Sequence, residues 1–143
     1  MQAPRQRTLY PGRVSELDVL VDEWMPLPDV AERLGVDVGR VRRLVQERTI
    51  IAVRHGEPRV WSVPAGFLMV TAAGGWQVVP ALPGTLSVLG DAGFADEESI
   101  TWLFTPDESL AGLGTGVPPR TPMEALAAGH KTEIRRRAMA LAF

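Results

Sequence analysis

The residues with the clearest chemistry form a basic cluster between residues 37 and 62. This stretch carries six arginines against three acids, whereas the whole chain of 143 residues has a formal net charge of −2. Arginine binds phosphate oxygens and bonds guanine bidentately, and glutamine bonds adenine in the same way. The candidate nucleic-acid contacts are Arg40, Arg42, Arg43, Gln46, Arg48, Arg54, His55 and Arg59.

A predicted first helix precedes this cluster. It runs from Pro28 to Leu34, with Pro28 at the first helical position, where its missing N–H would be unpaired in any case. Val30, Ala31 and Leu34 form one apolar stripe, and Gly35 ends the helix because glycine takes a positive φ without strain.

A predicted second helix positions the first half of the cluster. Asp37 stands where an N-cap belongs, and the helix continues to about Glu47. Its inner stripe is Val38, Val41, Leu44 and Val45. Arg40 and Arg43 point outward, and so, less squarely, do Arg42 and Gln46. One apolar face and one Arg/Gln face are what reading of the DNA major groove requires.

A predicted hairpin positions the second half of the cluster. Ile51 and Val53 alternate with Ala52 and Arg54, the chain turns at residues 55–58, and residues 59–63 return. Arg54, His55 and Arg59 would cluster at the tip of this hairpin, where a wing meets the DNA backbone or minor groove.

The remaining segments predict three regions: a disordered tail (1–13), a winged helix-turn-helix domain (14–80) and a helical C-terminal domain (81–143). Residues 14–21 fit a helix or a strand equally. Trp24 is expected to pack on the start of the first helix, and residues 76–79 could add a third strand to the hairpin. Helices are predicted from Leu82 to Gly93, after a cap at Asp96, after a cap at Thr121, and from Lys131 to Leu141.

Other chemistries find little support in the sequence. There is no cysteine, so disulfides and thiolate metal sites are excluded, and His55 and His130 stand far apart without a carboxylate at ligand spacing. Residues 112–116 are rich in glycine, but no strand is predicted before them and no helix is predicted directly after them. A nucleotide-binding loop needs both elements. We therefore expect a cytoplasmic protein, associated with the nucleoid when bound to DNA, that is not an enzyme and has no metal, cofactor, signal peptide or membrane span.

Residues 27–63 resemble the small winged helix-turn-helix domains of the excisionase and MerR type. With Leu82-Pro83-Gly84, the segment from Trp102 to Asp107 and the arginine-rich C-terminus, residues 20–143 resemble an actinobacterial family of small winged-helix DNA-binding proteins. The resemblance implies a mainly α fold with a small β-hairpin wing, and a transcriptional regulator that binds double-stranded DNA. One departure is Arg48-Thr49, where such domains usually have glycine.

The sequence does not decide whether the protein has partners other than DNA. The segment from Trp102 to Gly129 also resembles the C-terminal domain of antitoxins, which would make this half a protein-interaction or homodimerisation module without a direct DNA role; otherwise it is a helical lid on the winged helix. The three consecutive arginines at residues 135–137 have three open interpretations: a solvated helix end, a second phosphate contact or a contact with a protein partner. Thr8 follows Arg5-Gln6-Arg7 and is a candidate substrate of a Ser/Thr protein kinase.

Overall fold

The computed structural model describes residues 17–142, and the predicted tail with Thr8 lies outside them. Residues 17–20 are helical, which decides the open choice for the described part of residues 14–21. The winged-helix half then comprises β1 (Trp24–Pro26), α1 (Leu27–Leu34), α2 (Val38–Gln46), β2 (Val53–His55), β3 (Val60–Pro64), a short helical turn (Ala65–Phe67), β4 (Leu68–Val70) and β5 (Trp76–Val78). The C-terminal half comprises α3 (Leu82–Asp91), α4 (Asp96–Phe104), a second short turn (Glu108–Gly112), α5 (Pro122–Ala127) and α6 (Lys131–Ala140).

The helix-turn-helix prediction is confirmed, with a small shift at its start. α1 begins at Leu27, so Pro28 occupies the second rather than the first helical position, where its lack of an N–H is equally harmless. Gly35 ends α1 with a φ of 74°. The Asp37 carboxylate caps α2 by accepting the backbone N–H of Arg40 at 2.8 Å. A mainly helical fold with a β-hairpin wing is therefore the observed fold class.

The wing prediction is correct for β2 and β3, which pair antiparallel with Val53 opposite Ser62. The predicted alternation before the wing is wrong. Ile51, Ala52 and Val53 are all buried, Ala52 at 5% exposure, because the chain passes through the core before the strand begins. Side chains on both sides of the backbone are therefore covered, and alternation begins only at Arg54.

The third strand of the wing sheet is β1, not β5 as predicted. The strand order is β1-β3-β2, with Met25 opposite Val63, while β5 pairs with β4 in a separate two-stranded sheet. The turn at residues 65–67 leads β4 away from β3, so the returning strand meets β4, and β1 occupies the edge of β3 instead. A three-residue strand that ends in proline shows too little alternation to be found in the sequence.

The C-terminal helices pack on the winged helix through apolar contacts, and the rings of Phe67 and Phe104 lie 5.9 Å apart between their centroids. Thr121 caps α5 as predicted, its hydroxyl oxygen accepting the N–H of Glu124 at 3.1 Å. The predicted cap at Asp96 is wrong, because the extended residue before α4 is Ala95. The Glu98 carboxylate accepts the N–H of Ala95 at 2.8 Å, so the first turn of α4 caps itself.

Replacement of Asp37 by alanine tests the cap of α2. We expect Asp37→Ala to lower the free energy of unfolding by about 1 kcal/mol, because the N–H of Arg40 loses its side-chain acceptor. The matched control is Asp37→Asn, which keeps an acceptor oxygen and should retain most of the stability. Chemical denaturation followed by circular dichroism measures both variants, and equal losses would contradict a hydrogen-bonded cap.

Candidate nucleic-acid interface

The outward face of α2 carries the predicted contacts. Arg40, Arg42, Arg43 and Gln46 are all exposed, while Val41 on the opposite side is fully buried. Within the described residues, none of these three arginines forms an ion pair with an acid. The structure therefore brings three uncompensated cations and one amide together on a single helical face.

The turn after α2 shows how the chain manages without the expected glycine. Arg48 itself takes the left-handed conformation, with a φ of 60°. Its N–H donates to the carbonyl of Val45 at 3.1 Å, and the N–H of Thr49 donates to that of Leu44 at 2.9 Å. These two bonds close the end of α2 as a glycine would. The Arg48 guanidinium also pairs with Asp96 at 2.9 Å, so this predicted contact is already engaged within the molecule.

The wing presents two further predicted contacts, Arg54 and Arg59, and both are exposed. The Arg54 guanidinium lies over the ring of Trp61, 5.5 Å from its centroid. Trp61 is 51% exposed and was not among the predicted contacts. Its position opposite Arg54 in the hairpin register was the signal that could have identified it.

His55 is the last residue of β2 before the turn, and it lines the same groove as Arg54 and Arg59. Its ring stacks on Trp24, with centroids 4.5 Å apart, and its Nε2 bonds the Asp18 carboxylate. Trp24 and His55 stand on the two outer strands of the sheet, and the small, buried Ser62 lies between them on β3. Trp24 therefore reaches across the sheet to His55.

The arginine run of α6 is engaged with neighbouring residues, although the Arg136 side chain itself is 68% exposed. Arg136 and Arg137 both donate to Glu133, at 2.6 and 2.7 Å, and Arg137 also donates to the hydroxyl of Ser109 at 2.8 Å. The hydrogen bonds from Arg136 and then Arg137 lower the pKa of Glu133 to about 2. Arg135 packs on α3 so closely that a Cβ at Gly84 would lie 2.5 Å from its guanidinium.

A metal-binding cluster and a membrane-spanning helix are both absent from residues 17–142. Within this range, no three His, Cys, Asp or Glu side chains are grouped so that they could hold a metal ion. In the same range, no helix combines the length and the apolar character needed to cross a membrane.

A helix-turn-helix followed by a hairpin wing, with exposed arginines on the second helix and on the wing, defines a winged helix-turn-helix protein. Two family models match the chain: "DNA-binding protein Rv2175c, wHTH domain" over residues 15–68, and the Rv2175c C-terminal domain of unknown function over residues 79–142. The chain therefore belongs to the Rv2175c family.

Two relatives support this assignment. The chain is 38% identical over 149 residues to "DNA-binding protein Rv2175c" of Mycobacterium tuberculosis (strain ATCC 25618 / H37Rv), a match that covers 99% of this chain and 98% of that protein. The NMR structure of Rv2175c superposes with a TM-score of 0.68 at 40% identity, over 85% of this chain and 82% of that one.

Two substitutions at Arg48 test the left-handed turn after α2. We expect Arg48→Gly to be more stable than Arg48→Ala by about 1 kcal/mol, because alanine pays the steric cost of a positive φ and glycine does not. Both variants lose the ion pair with Asp96, so their difference isolates the backbone effect. Thermal unfolding of the two proteins measures it, and equal stabilities would contradict the left-handed conformation.

Proposed function

We propose that this protein binds double-stranded DNA with α2 in the major groove and the wing along the backbone, and that it acts as a transcriptional regulator. The observation that carries the proposal is the face of α2, where Arg40, Arg42 and Arg43 are exposed and have no acidic partner within the described residues. A single helix fits the major groove, and arginine is the commonest side chain that reads bases there. The relative in M. tuberculosis carries the name of a DNA-binding protein.

We assign the side chains two roles. Arg40, Arg43 and Gln46 approach base edges, because they project from the outward face of α2. Phosphate oxygens are held by Arg42, Arg54 and Arg59, whereas Arg48, also predicted to hold phosphate, is engaged by Asp96. His55 keeps a structural role in this proposal, because its ring is already held by Trp24 and Asp18.

The distribution of charge supports the same surface. Residues 63–130 carry one arginine against seven acids, so this region repels phosphate while the stretch from 37 to 62 attracts it. One recognition helix alone binds weakly, so we propose that a second copy of the chain or a basic arm adds affinity. A Ser/Thr kinase acting on Thr8 stays a prediction of the sequence; a phosphate there would add a charge of about −2 and oppose DNA binding.

Salt-dependent binding tests the proposed role of α2. We expect wild-type protein to bind labelled duplex DNA in fluorescence anisotropy, with an affinity that falls with salt as for about four to six phosphate contacts. The double substitution Arg40→Ala/Arg43→Ala should lower the affinity at least about tenfold, since each base-reading arginine contributes about 1–3 kcal/mol.

The matched control for this double variant is Arg120→Ala/Arg136→Ala, which removes the same charge from the C-terminal half and should bind nearly as wild type does. Equal losses of DNA affinity in the two double variants would show that the effect depends on net charge and not on the face of α2. No binding by wild type at low salt would overturn the DNA proposal and favour a protein-interaction module.

The ion pair between Arg48 and Asp96 gives a variant that should bind more tightly. Asp96→Asn removes the carboxylate that holds Arg48, so the guanidinium becomes available to a phosphate. We expect the affinity to rise several-fold at low salt and the salt dependence to steepen by about one phosphate contact. Glu108→Gln removes one negative charge from an exposed position of the C-terminal half and serves as the control. An equal rise in both variants would contradict the specific role of this pair.

A further inference from the structure

Trp61 is the larger of two exposed hydrophobic residues at the start of β3, where Val60 before it is 41% exposed. Ser62 and Val63 are 2% and 0% exposed, whereas the Trp61 side chain stands in the middle strand of the wing sheet at 51%. We infer that Trp61 is a DNA contact of the wing, whose ring packs against the sugars that line the groove beside α2. This inference rests on the proposed function and adds an apolar contact to the arginines assigned above.

The strand register places Trp61 on the face of the wing sheet that is buried at the base of the sheet. Side chains alternate along β3, so Trp61 and Val63 share one face, together with Met25 opposite Val63 and Arg54 opposite Trp61. Met25 and Val63 are buried, and α1 packs against β1 and β3. The face that the helices cover at the base of the sheet is therefore the face that emerges into solvent at Trp61.

The other face of the sheet is already occupied. Trp24 and His55 stack across it above Ser62, and the Asp18 carboxylate holds the His55 ring. The open aromatic surface of the wing therefore lies on the face of the sheet opposite the stack of Trp24 on His55.

The charge around Trp61 suits a phosphate backbone. Arg54 lies over the ring, and Arg59 lines the same groove, which continues along the edge of β2 to the stack of Trp24 on His55. Asp96 and Glu97 border the groove on the side of the C-terminal half, but Asp96 is paired with Arg48. A guanidinium held against an indole ring offers a cation to a phosphate and an apolar surface to the adjoining sugar.

Trp76 provides an internal comparison. It is 37% exposed and also carries an arginine over its ring, since Arg33 lies 4.6 Å from its centroid. The groove beside it is lined by three acids, Glu23, Asp29 and Glu32, which repel phosphate. Two exposed tryptophans with similar local packing thus differ in the charge that surrounds them, and only Trp61 faces a basic surface.

Anisotropy titrations of the full chain with labelled duplex DNA, over a range of salt concentrations, test the inference. We expect Trp61→Ala to lower the affinity about tenfold, the scale of an aromatic contact in an interface, without changing the slope of affinity against salt. Trp61→Phe should retain most of the affinity. Arg54→Ala should instead reduce that slope by about one phosphate contact, and Trp76→Ala should bind as wild type does.

Other outcomes distinguish a failure of the inference about Trp61 from a failure of the proposed DNA binding. If Arg40→Ala/Arg43→Ala abolishes binding while Trp61→Ala and Trp61→Phe bind as wild type, the inference is overturned and the proposed function stands. If Trp61→Ala lowers the salt slope as Arg54→Ala does, the ring only positions Arg54, and direct contact is overturned. If wild type does not bind, both proposals fail. Circular dichroism of each variant confirms that it is folded, and Trp61→Phe provides the test if the alanine variant is not.

Discussion

The direction of the wing relative to the second helix depends on one residue with a left-handed backbone. Arg48 closes the end of α2, turns the chain towards the core and, through Asp96, ties this turn to the first residue of α4. A positive φ is costly for any residue with a Cβ, so the surrounding hydrogen bonds must hold it. The same residue thus sets the geometry of the proposed interface and links it to the C-terminal half.

That link is part of a close contact between the two halves. The ring of Phe104 lies so near Gly66 that an added Cβ would stand 3.0 Å from one of its carbons. Fully buried side chains run from Val30 in α1 through Phe67 to Ile100 in α4 and Ile134 in α6. Because the halves share apolar contacts, the position of Asp96 beside Arg48 is held by packing and not only by the attraction of two charges.

The arginines of this protein fall into two groups with different surroundings. Those of α6 have close neighbours: Arg136 and Arg137 bond Glu133, and Arg135 packs on α3, where its buried Nε has no hydrogen-bond partner among the described residues. Those of α2 and the wing tip point into solvent without acidic partners among residues 17–142. The second group has no acidic partner to displace and is therefore more readily available to an anionic partner, although both groups look alike in the sequence.

Local patterns in the sequence determined the two helices of the helix-turn-helix, the caps at Asp37 and Thr121 and the β2–β3 hairpin, because each depends on residues close together in the chain. Tertiary structure decided the rest. The pairing of β1 with β3, the stack of Trp24 on His55 and the ion pair from Arg48 to Asp96 all join distant segments. The hydrophobic periodicity of a short segment predicts its secondary structure but not the distant segment that it will contact. Long-range packing selects among pairings that the local sequence does not distinguish.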